Sequence, residues 1–236
     1  MGVVRRADEV DGLEECASDV LRVGIAYYGA GNIGALAQAL LSARSQVSIV
    51  RSRGELEAVD VVVLPGVGAM ASAMEALTAT GLGTGIRRWA ESGRPLLGVC
   101  LGMQMLVGES EEGGRGLGLL EGRTCRLPAG RVPNLGWCEV RPVRDAALFR
   151  GWPGPSYTYF AHSYAVVDTE PAAVAATASL GDSATGGVSE GFVAAVGKGN
   201  IWGVQFHPER SGEAGRQVLK AFLAREKRIR RAGTAR

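Results

Sequence analysis

The sequence predicts an α/β fold with a mostly parallel central sheet, helices on both faces and an antiparallel extension in the C-terminal half. From Leu21 to Cys100, short apolar runs alternate with segments of helical periodicity, as in parallel sheets covered by helices. After Gly122, candidate strands follow one another with only turn residues between them, which favours antiparallel pairing. A chain of 236 residues, 46% of them hydrophobic, suits one domain with a sizeable core.

The elements can be assigned in order from periodicity and turn residues. In the first half we expect strands at 22–27, 46–50, 59–64 and 94–99, and helical segments at 32–43, 69–92 and 101–108. In the second half we expect strands at 124–127, 139–143, 157–160, 165–167, 174–178, 192–196 and 201–206. A final helix begins near Gly212 and carries Leu219, Phe222 and Leu223 on one face.

Charge and composition divide the chain into three parts. Residues 1–20 are polar and mostly acidic and are interpreted as a loose N-terminal extension, followed by one domain over 21–225. Residues 226–236 form a basic C-terminal tail, interpreted as a solvated helix end rather than a nucleic-acid-binding segment.

Several function classes are disfavoured. A net charge of +2 implies no general nucleic-acid surface, and no apolar run is long enough to span a membrane. The four cysteines match no zinc pattern and no signal peptide precedes them, so we expect a reduced, cytoplasmic protein without a metal or other cofactor.

Cys100 is the first candidate catalytic residue. It lies in Gly98-Val99-Cys100-Leu101-Gly102, between a predicted strand and a predicted helix, which is the pattern of a nucleophile elbow with sulfur in place of oxygen. The flanking glycines suit a tight turn, and a helix N-terminus favours the reactive thiolate.

A His-x-Glu pair follows the last predicted strand. His207 could deprotonate Cys100 while Glu209 orients the imidazole, since residues i and i+2 of an extended segment point the same way. A core histidine beside a surface glutamate is the structural alternative. The other histidine, His162, has no carboxylate two residues away and is interpreted as a binding-site residue rather than the base.

Two glycine-rich turns are candidate anion sites. In Pro65-Gly66-Val67-Gly68, the N–H groups of Val67 and Gly68 could form an oxyanion hole with the N–H of Leu101, although a turn that merely needs glycine fits equally well. The stretch from Gly29 to Gly34 matches G-x-G-x-x-G, but it lacks a ribose-binding acid at the expected distance and is weak evidence for nucleotide binding.

Together these motifs resemble the class I (triad) glutamine amidotransferases. The segment from Gly98 to Gln104 is similar to their nucleophile motif, and the segment from Gln205 to Glu209 is similar to their His–Glu motif. Within the family, the chain is most similar to the glutaminase subunits of imidazole glycerol phosphate synthase, from histidine biosynthesis. The supporting segments are 28–32, 65–68, 136–137, 159–164 and 205–211.

The resemblance implies a flavodoxin-like fold and hydrolysis of glutamine to glutamate and ammonia. It implies that Gln104 and Glu112 help hold the glutamine and that Ser163 and Tyr164 lie near its α-carboxylate. It also implies a (β/α)₈-barrel cyclase as partner, which receives the ammonia through an internal channel and faces Asn32 and Trp137. The family usually has His where Asn134 stands and Asn where Cys138 stands, and both departures fall beside the expected interface.

Other functions remain as alternatives. A glutaminase for another synthase, such as anthranilate synthase, typically shows an Asn-Tyr-Asp-Ser-Phe first turn, whereas this chain has Tyr27-Tyr28-Gly29-Ala30-Gly31. A cysteine peptidase or isomerase of the same superfamily would not need the His-Pro-Glu order. A catalytically idle regulatory subunit would not need Cys100, His207 and Glu209 together.

Overall fold

A computed structural model describes residues 20–43, 45–128, 132–143, 146–152, 154–180 and 191–234. The predicted N-terminal extension therefore lies, apart from Val20, outside the described residues. The strands are β1 Arg22–Ala26, β2 Gln46–Val50, β3 Val61–Gly66, β4 Leu96–Cys100, β5 Glu109–Ser110, β6 Arg123–Arg126, β7 Asn134–Pro142, β8 Ser156–His162, β9 Tyr164–Val167, β10 Val174–Ser179, β11 Gly191–Lys198 and β12 Ile201–Val204.

A nine-stranded sheet organises the fold, in the order β2-β1-β3-β4-β12-β11-β10-β7-β8. The first five strands in this order pair in parallel, and β11, β10, β7 and β8 continue the sheet with antiparallel pairs. The predicted parallel sheet with an antiparallel extension is therefore confirmed. The remaining strands form a separate small sheet in the order β5-β6-β9, which the sequence did not predict.

Helices cover both faces of the large sheet. They are α1 Ile33–Ser42, α2 Met70–Ala79, α3 Leu82–Glu91, α4 Leu101–Gln104 and α5 Gly212–Thr234, with 3₁₀ turns at Gly54–Ala58, Ala147–Phe149, Pro171–Ala173 and Pro208–Arg210. Apolar side chains of α1 and α5, such as Leu40 and Phe222, pack in one buried cluster. Those of α2 and α3, such as Leu77 and Ile86, pack in a second. Burial of both faces explains why β3 and β4 read as continuous apolar runs.

Two predicted helices differ from the structure. The segment 69–92 is two helices, because Gly81 adopts a left-handed conformation with φ +69° between α2 and α3. The helix predicted over 101–108 ends at Gln104. Beyond it, the carbonyl groups of Met105 and Leu106 accept hydrogen bonds from the N–H groups of Leu117 and Leu119, so a returning loop replaces further helical turns.

The last helix continues through the basic C-terminal segment. α5 crosses the boundary predicted at position 226 and continues to Thr234, and the Glu226 side chain is buried beside Arg225. Among the described residues, no helix combines the length and the apolar character needed to cross a membrane.

Candidate active site

The candidate site lies where three neighbouring parallel strands end. Gly66 at the end of β3 pairs with Cys100 at the end of β4, and Val204 at the end of β12 pairs with Val99. The chain then runs from Val204 directly to His207. Crevices beyond the carboxyl ends of parallel strands are the usual ligand sites of open α/β sheets.

Steric limits explain the glycines of the elbow. Cys100 has φ 55° and ψ −113°, which places its side chain on a strained turn between β4 and α4. A Cβ atom on Gly98 would lie 2.5 Å from the carbonyl oxygen of Gly102, and one on Gly102 would lie 1.7 Å from that of Leu64. No side chain fits at either position, so the G-x-C-x-G spacing follows from the close approach of α4 to its neighbouring strands.

His207 and Glu209 form a buried pair. The Nδ1 atom of His207 lies 2.9 Å from Oε1 of Glu209, and the two side chains are 11% and 4% exposed. The sequence predicted an extended segment here, but Glu209 lies in the 3₁₀ turn Pro208–Arg210. The turn, rather than a strand, brings the carboxylate to the imidazole.

The environment of His207 favours the protonated imidazole. Burial lowers the pKa of His207, but hydrogen bonds with Cys100 and Glu209, together with their negative charges, outweigh burial and raise this pKa to about 10. The hydrogen bonds and charges of Cys100 and Glu209 therefore favour a proton on His207. His207 is ready to act as a general acid towards a leaving group.

Two further groups contact the sulfur of Cys100. The thiol can donate to the carbonyl oxygen of Ala161 at 3.8 Å, and Nε2 of Gln205 lies 3.7 Å from Sγ. Gln104 in turn donates from Nε2 to Oε1 of Gln205 at 3.0 Å and to the carbonyl oxygen of Tyr164 at 2.8 Å. Gln205 was not predicted as a site residue, although it stands two positions before His207 in the same motif.

A cavity of about 390 Å³ opens beside Cys100. It brings together nearly all of the predicted site residues: Asn32, Val67, Gly68, Cys100, Leu101, Gln104, Glu112, His162, Ser163, Tyr164, His207 and Glu209. Trp137 does not line it. The Trp137 side chain lies outside on β7, 56% exposed, with its ring edge-on to Tyr159 at a centroid distance of 6.1 Å.

Glu112 connects the cavity wall to the glycine-rich turn. Its Oε2 atom accepts a hydrogen bond from the backbone N–H of Met70 at 2.8 Å, at the first residue of α2. A carboxylate is favourable there because the first N–H groups of a helix have no partner within the helix. Glu112, which lines the cavity, therefore binds the backbone two residues after the Val67–Gly68 turn.

His162 has surroundings that keep it neutral. Burial, together with the charge of His207, lowers the pKa of His162 to about 4, although a hydrogen bond to the Tyr164 carbonyl opposes the change. That carbonyl, 2.9 Å from Nδ1, can only accept, so Nδ1 carries the proton and Nε2 accepts from the Asn134 amide at 2.9 Å. Asn134 also accepts from the Cys138 thiol at 3.7 Å. The two departures from the family pattern therefore contact each other and the cavity wall.

No group of three or more His, Cys, Asp or Glu side chains is placed to hold a metal ion in the described part of the chain. The G-x-G-x-x-G turn positions Asn32, whose side chain accepts a hydrogen bond from Ala35 N–H at 3.4 Å and caps α1.

Comparison with known proteins agrees with this geometry. The family model described as "Glutamine amidotransferase class-I" matches residues 25–225. The chain is a class I glutamine amidotransferase. The resemblance drawn from the motifs around Cys100 and His207 is thereby confirmed, and the amidotransferase is a glutaminase that donates ammonia to a partner.

Two relatives with more than 40% sequence identity to this chain have the same name. The chain is 45% identical over 216 residues to the imidazole glycerol phosphate synthase subunit HisH of Moorella thermoacetica, covering 90% of this chain and 98% of that protein. It is 42% identical over 201 residues to the protein of the same name from Symbiobacterium thermophilum, covering 84% of this chain and 91% of that protein.

Solved structures share the fold at low identity. A chain of the PurLQS structure from Thermotoga maritima superposes with a TM-score of 0.69 at 21% identity, covering 87% of this chain and 99% of that chain. A glutamine amidotransferase from the same organism gives a TM-score of 0.65 at 18% identity, covering 88% of this chain and 98% of that chain. The predicted class I amidotransferase fold is confirmed.

Proposed function

We propose that this amidotransferase is the glutaminase subunit of an imidazole glycerol phosphate synthase of histidine biosynthesis. The contact that carries the chemical part of the proposal is the buried 2.9 Å pair of His207 and Glu209 beside Cys100. The names of the relatives at 42–45% identity support the choice of synthase over the anthranilate synthase alternative.

The geometry supports hydrolysis in two steps. The Cys100 thiolate attacks the γ-carboxamide carbon of glutamine, an S–C bond forms, and the C–N bond breaks as ammonia leaves with the proton from His207. Neutral His207 then takes a proton from water, which attacks the thioester carbon, releases glutamate and restores the thiolate. Glu209 stabilises the imidazolium in both steps.

Charge develops on the substrate oxygen in each step. The N–H of Leu101, the first residue of α4, and the N–H groups of the Val67–Gly68 turn are the proposed donors, because Gly66 pairs directly with Cys100 and all three residues line the cavity. Gly68 has φ +88°, a conformation open to glycine at little cost. We propose that rearrangement of this turn controls the oxyanion site.

Hydrogen bonds within the cavity fit recognition of an amino acid. Both N–H groups of Gln104 are directed to protein acceptors, so its Oε1 remains for the α-ammonium group of glutamine. Glu112 supplies negative charge at the same group. Ser163 and Tyr164 lie where β8 connects to β9, and there they would hold the α-carboxylate. Neutral His162, at the end of β8, lines the cavity beside them.

The cavity rim carries exposed apolar side chains. Leu135 is 64% exposed and lines the cavity, and Trp137 stands two residues along the same strand. Asn32 lies on the rim as well. Exposed apolar side chains beside a catalytic cavity are typical of a partner surface. We propose that the barrel cyclase subunit docks here and receives the ammonia, in the cytoplasm and without any cofactor on this chain.

Glutamate release with and without the partner tests this proposal. The purified chain alone is expected to be a poor glutaminase, and the barrel subunit with its own ligand should raise turnover at least about tenfold. Leu135→Glu and Trp137→Glu each place a charge on the proposed docking surface and should abolish the increase in turnover caused by the partner. Full activity of the lone chain, unchanged by the partner, would contradict both the gate and the choice of synthase.

A further inference from the structure

We propose that Gln205 is a catalytic residue, which donates a hydrogen bond to the sulfur of Cys100 and is held in the donating orientation by Gln104. The inference rests on the proposed function only in taking Cys100 as the nucleophile. The relay runs from the Tyr164 carbonyl oxygen through the two amides to Sγ.

The orientation of both amides follows from one fixed acceptor. A backbone carbonyl can only accept, so the Gln104 group 2.8 Å from the Tyr164 oxygen must be its NH₂. The same nitrogen lies 3.0 Å from Gln205, so the Gln205 atom facing it must be oxygen. The NH₂ group of Gln205 then faces Sγ at 3.7 Å and can only donate to it. An exchange of oxygen and nitrogen in either amide would place two donors or two acceptors against each other.

Burial strengthens the effect of the hydrogen bond between Gln205 and Sγ. Gln205 is completely buried, and Gln104 and Cys100 are each 5% exposed. The Gln205 backbone is fixed by a hydrogen bond from its N–H to the Ala194 carbonyl at 2.9 Å. In such surroundings water cannot replace a lost donor, and a hydrogen bond to the charged form of a group favours that form.

The Gln205 amide can donate to the sulfur at stages of the reaction when His207 cannot. His207 loses its proton to ammonia in the first step and is neutral until the thioester is hydrolysed. The amide of Gln205 carries no titrating proton, so it offers the same hydrogen bond at every stage and at every pH of the assay. It therefore stabilises the thiolate both before attack and as the sulfur leaves the thioester.

The test measures alkylation of Cys100 by iodoacetamide as a function of pH, with the modified cysteine assigned by mass spectrometry. Gln205→Met removes the donor at similar size, and the alkylation midpoint should move up by about one pH unit, since tenfold less thiolate is then present at a given pH. Gln205→Leu, a second apolar variant, should move the midpoint in the same direction. Glutaminase activity near neutral pH should fall about tenfold for Gln205→Met and recover at higher pH.

Gln217→Met is the matched control. Gln217 lies on α5 and donates to the Arg150 carbonyl at 3.3 Å, so this variant loses an exposed amide hydrogen bond outside the site. Its alkylation profile should match the wild type. If Gln205→Met does not fold, Gln205→Leu or Gln104→Met decides, because Gln104→Met removes the contact that holds the Gln205 amide in its donating orientation.

The outcomes separate the two proposals. Folded Gln205 variants with the wild-type alkylation midpoint would overturn the role of Gln205. Retained glutaminase activity in Cys100→Ser would instead overturn Cys100 as the nucleophile, while a shifted midpoint in the Gln205 variants would still establish the hydrogen bond.

Discussion

Replacing Glu209 with glutamine should separate charge from geometry in the His207–Glu209 pair. The amide has the shape of the carboxylate, and its oxygen can still accept from Nδ1 of His207, so Glu209→Gln preserves the orientation of the imidazole. The variant loses the negative charge that stabilises the imidazolium. Because the side chain is 4% exposed, solvent screens this interaction weakly.

The expected loss can be worked from the pKa of His207. An increase from 6.5 to about 10 favours the protonated imidazole by about 5 kcal/mol, at about 1.4 kcal/mol per pKa unit. Burial lowers the pKa of His207, and a hydrogen bond and a charge from each of Cys100 and Glu209 raise it. Glu209 supplies one of these hydrogen bonds and one of these charges, so its replacement should cost on the order of a few kcal/mol, or about 10²-fold in kcat.

The assay is steady-state glutamate release by the complex with the barrel subunit, over a range of pH. We expect a kcat loss between about 10²-fold and about 10⁴-fold with a small change in KM, because loss of a triad carboxylate mainly affects the transition state. Glu213→Gln is the control, since Glu213 is exposed and pairs with Arg216 at the surface of α5. A Glu209→Gln enzyme with less than a fewfold loss and an unchanged pH profile would refute the proposed part of Glu209.

The remaining predictions concern the histidines and the elbow. His207→Ala should abolish turnover, whereas His162→Ala should leave measurable glutamate release; equal losses in two folded proteins would remove the distinction. His162 titrates near 4 when folded and near 6.5 when unfolded, so the free energy of unfolding should decrease as pH falls through that range, by on the order of 3 kcal/mol in full. Urea titrations should show a smaller decrease in His162→Gln than in the wild type, because carboxylates with lowered pKa values, such as Asp60, contribute to the decrease in both proteins. Gly102→Ala should destabilise the fold by more than about 4 kcal/mol, because the new methyl would meet the Leu64 carbonyl, whereas Gly108→Ala meets nothing and should unfold like the wild type.

Local patterns located the candidate site because most of its residues lie in short motifs. Cys100 could be placed on an elbow from two glycines, and His207 with Glu209 from their spacing after an apolar strand. The parallel pairing of β1 to β4 also followed from alternating periodicity. In these cases the determining contacts lie within a few positions along the chain.

The missed features depend on contacts between distant segments. Gln205 reaches Gln104 across a separation of 101 residues, and Glu112 reaches Met70 across 42. The end of α4 at Gln104 depends on a loop that returns to Met105 and Leu106. No periodicity records such pairings, so hydrophobic patterning extended the helix to 108 and left Gln205 without a role.

Covalent labelling with a diazoketone analogue of glutamine tests the central claim most directly. The reagent needs the cavity to recognise an amino acid and the nucleophile to attack. Intact mass and peptide mapping should show one label per chain, on Cys100, and glutamine should protect against it. Modification of Cys125 or Cys138 with Cys100 unmodified would contradict the account.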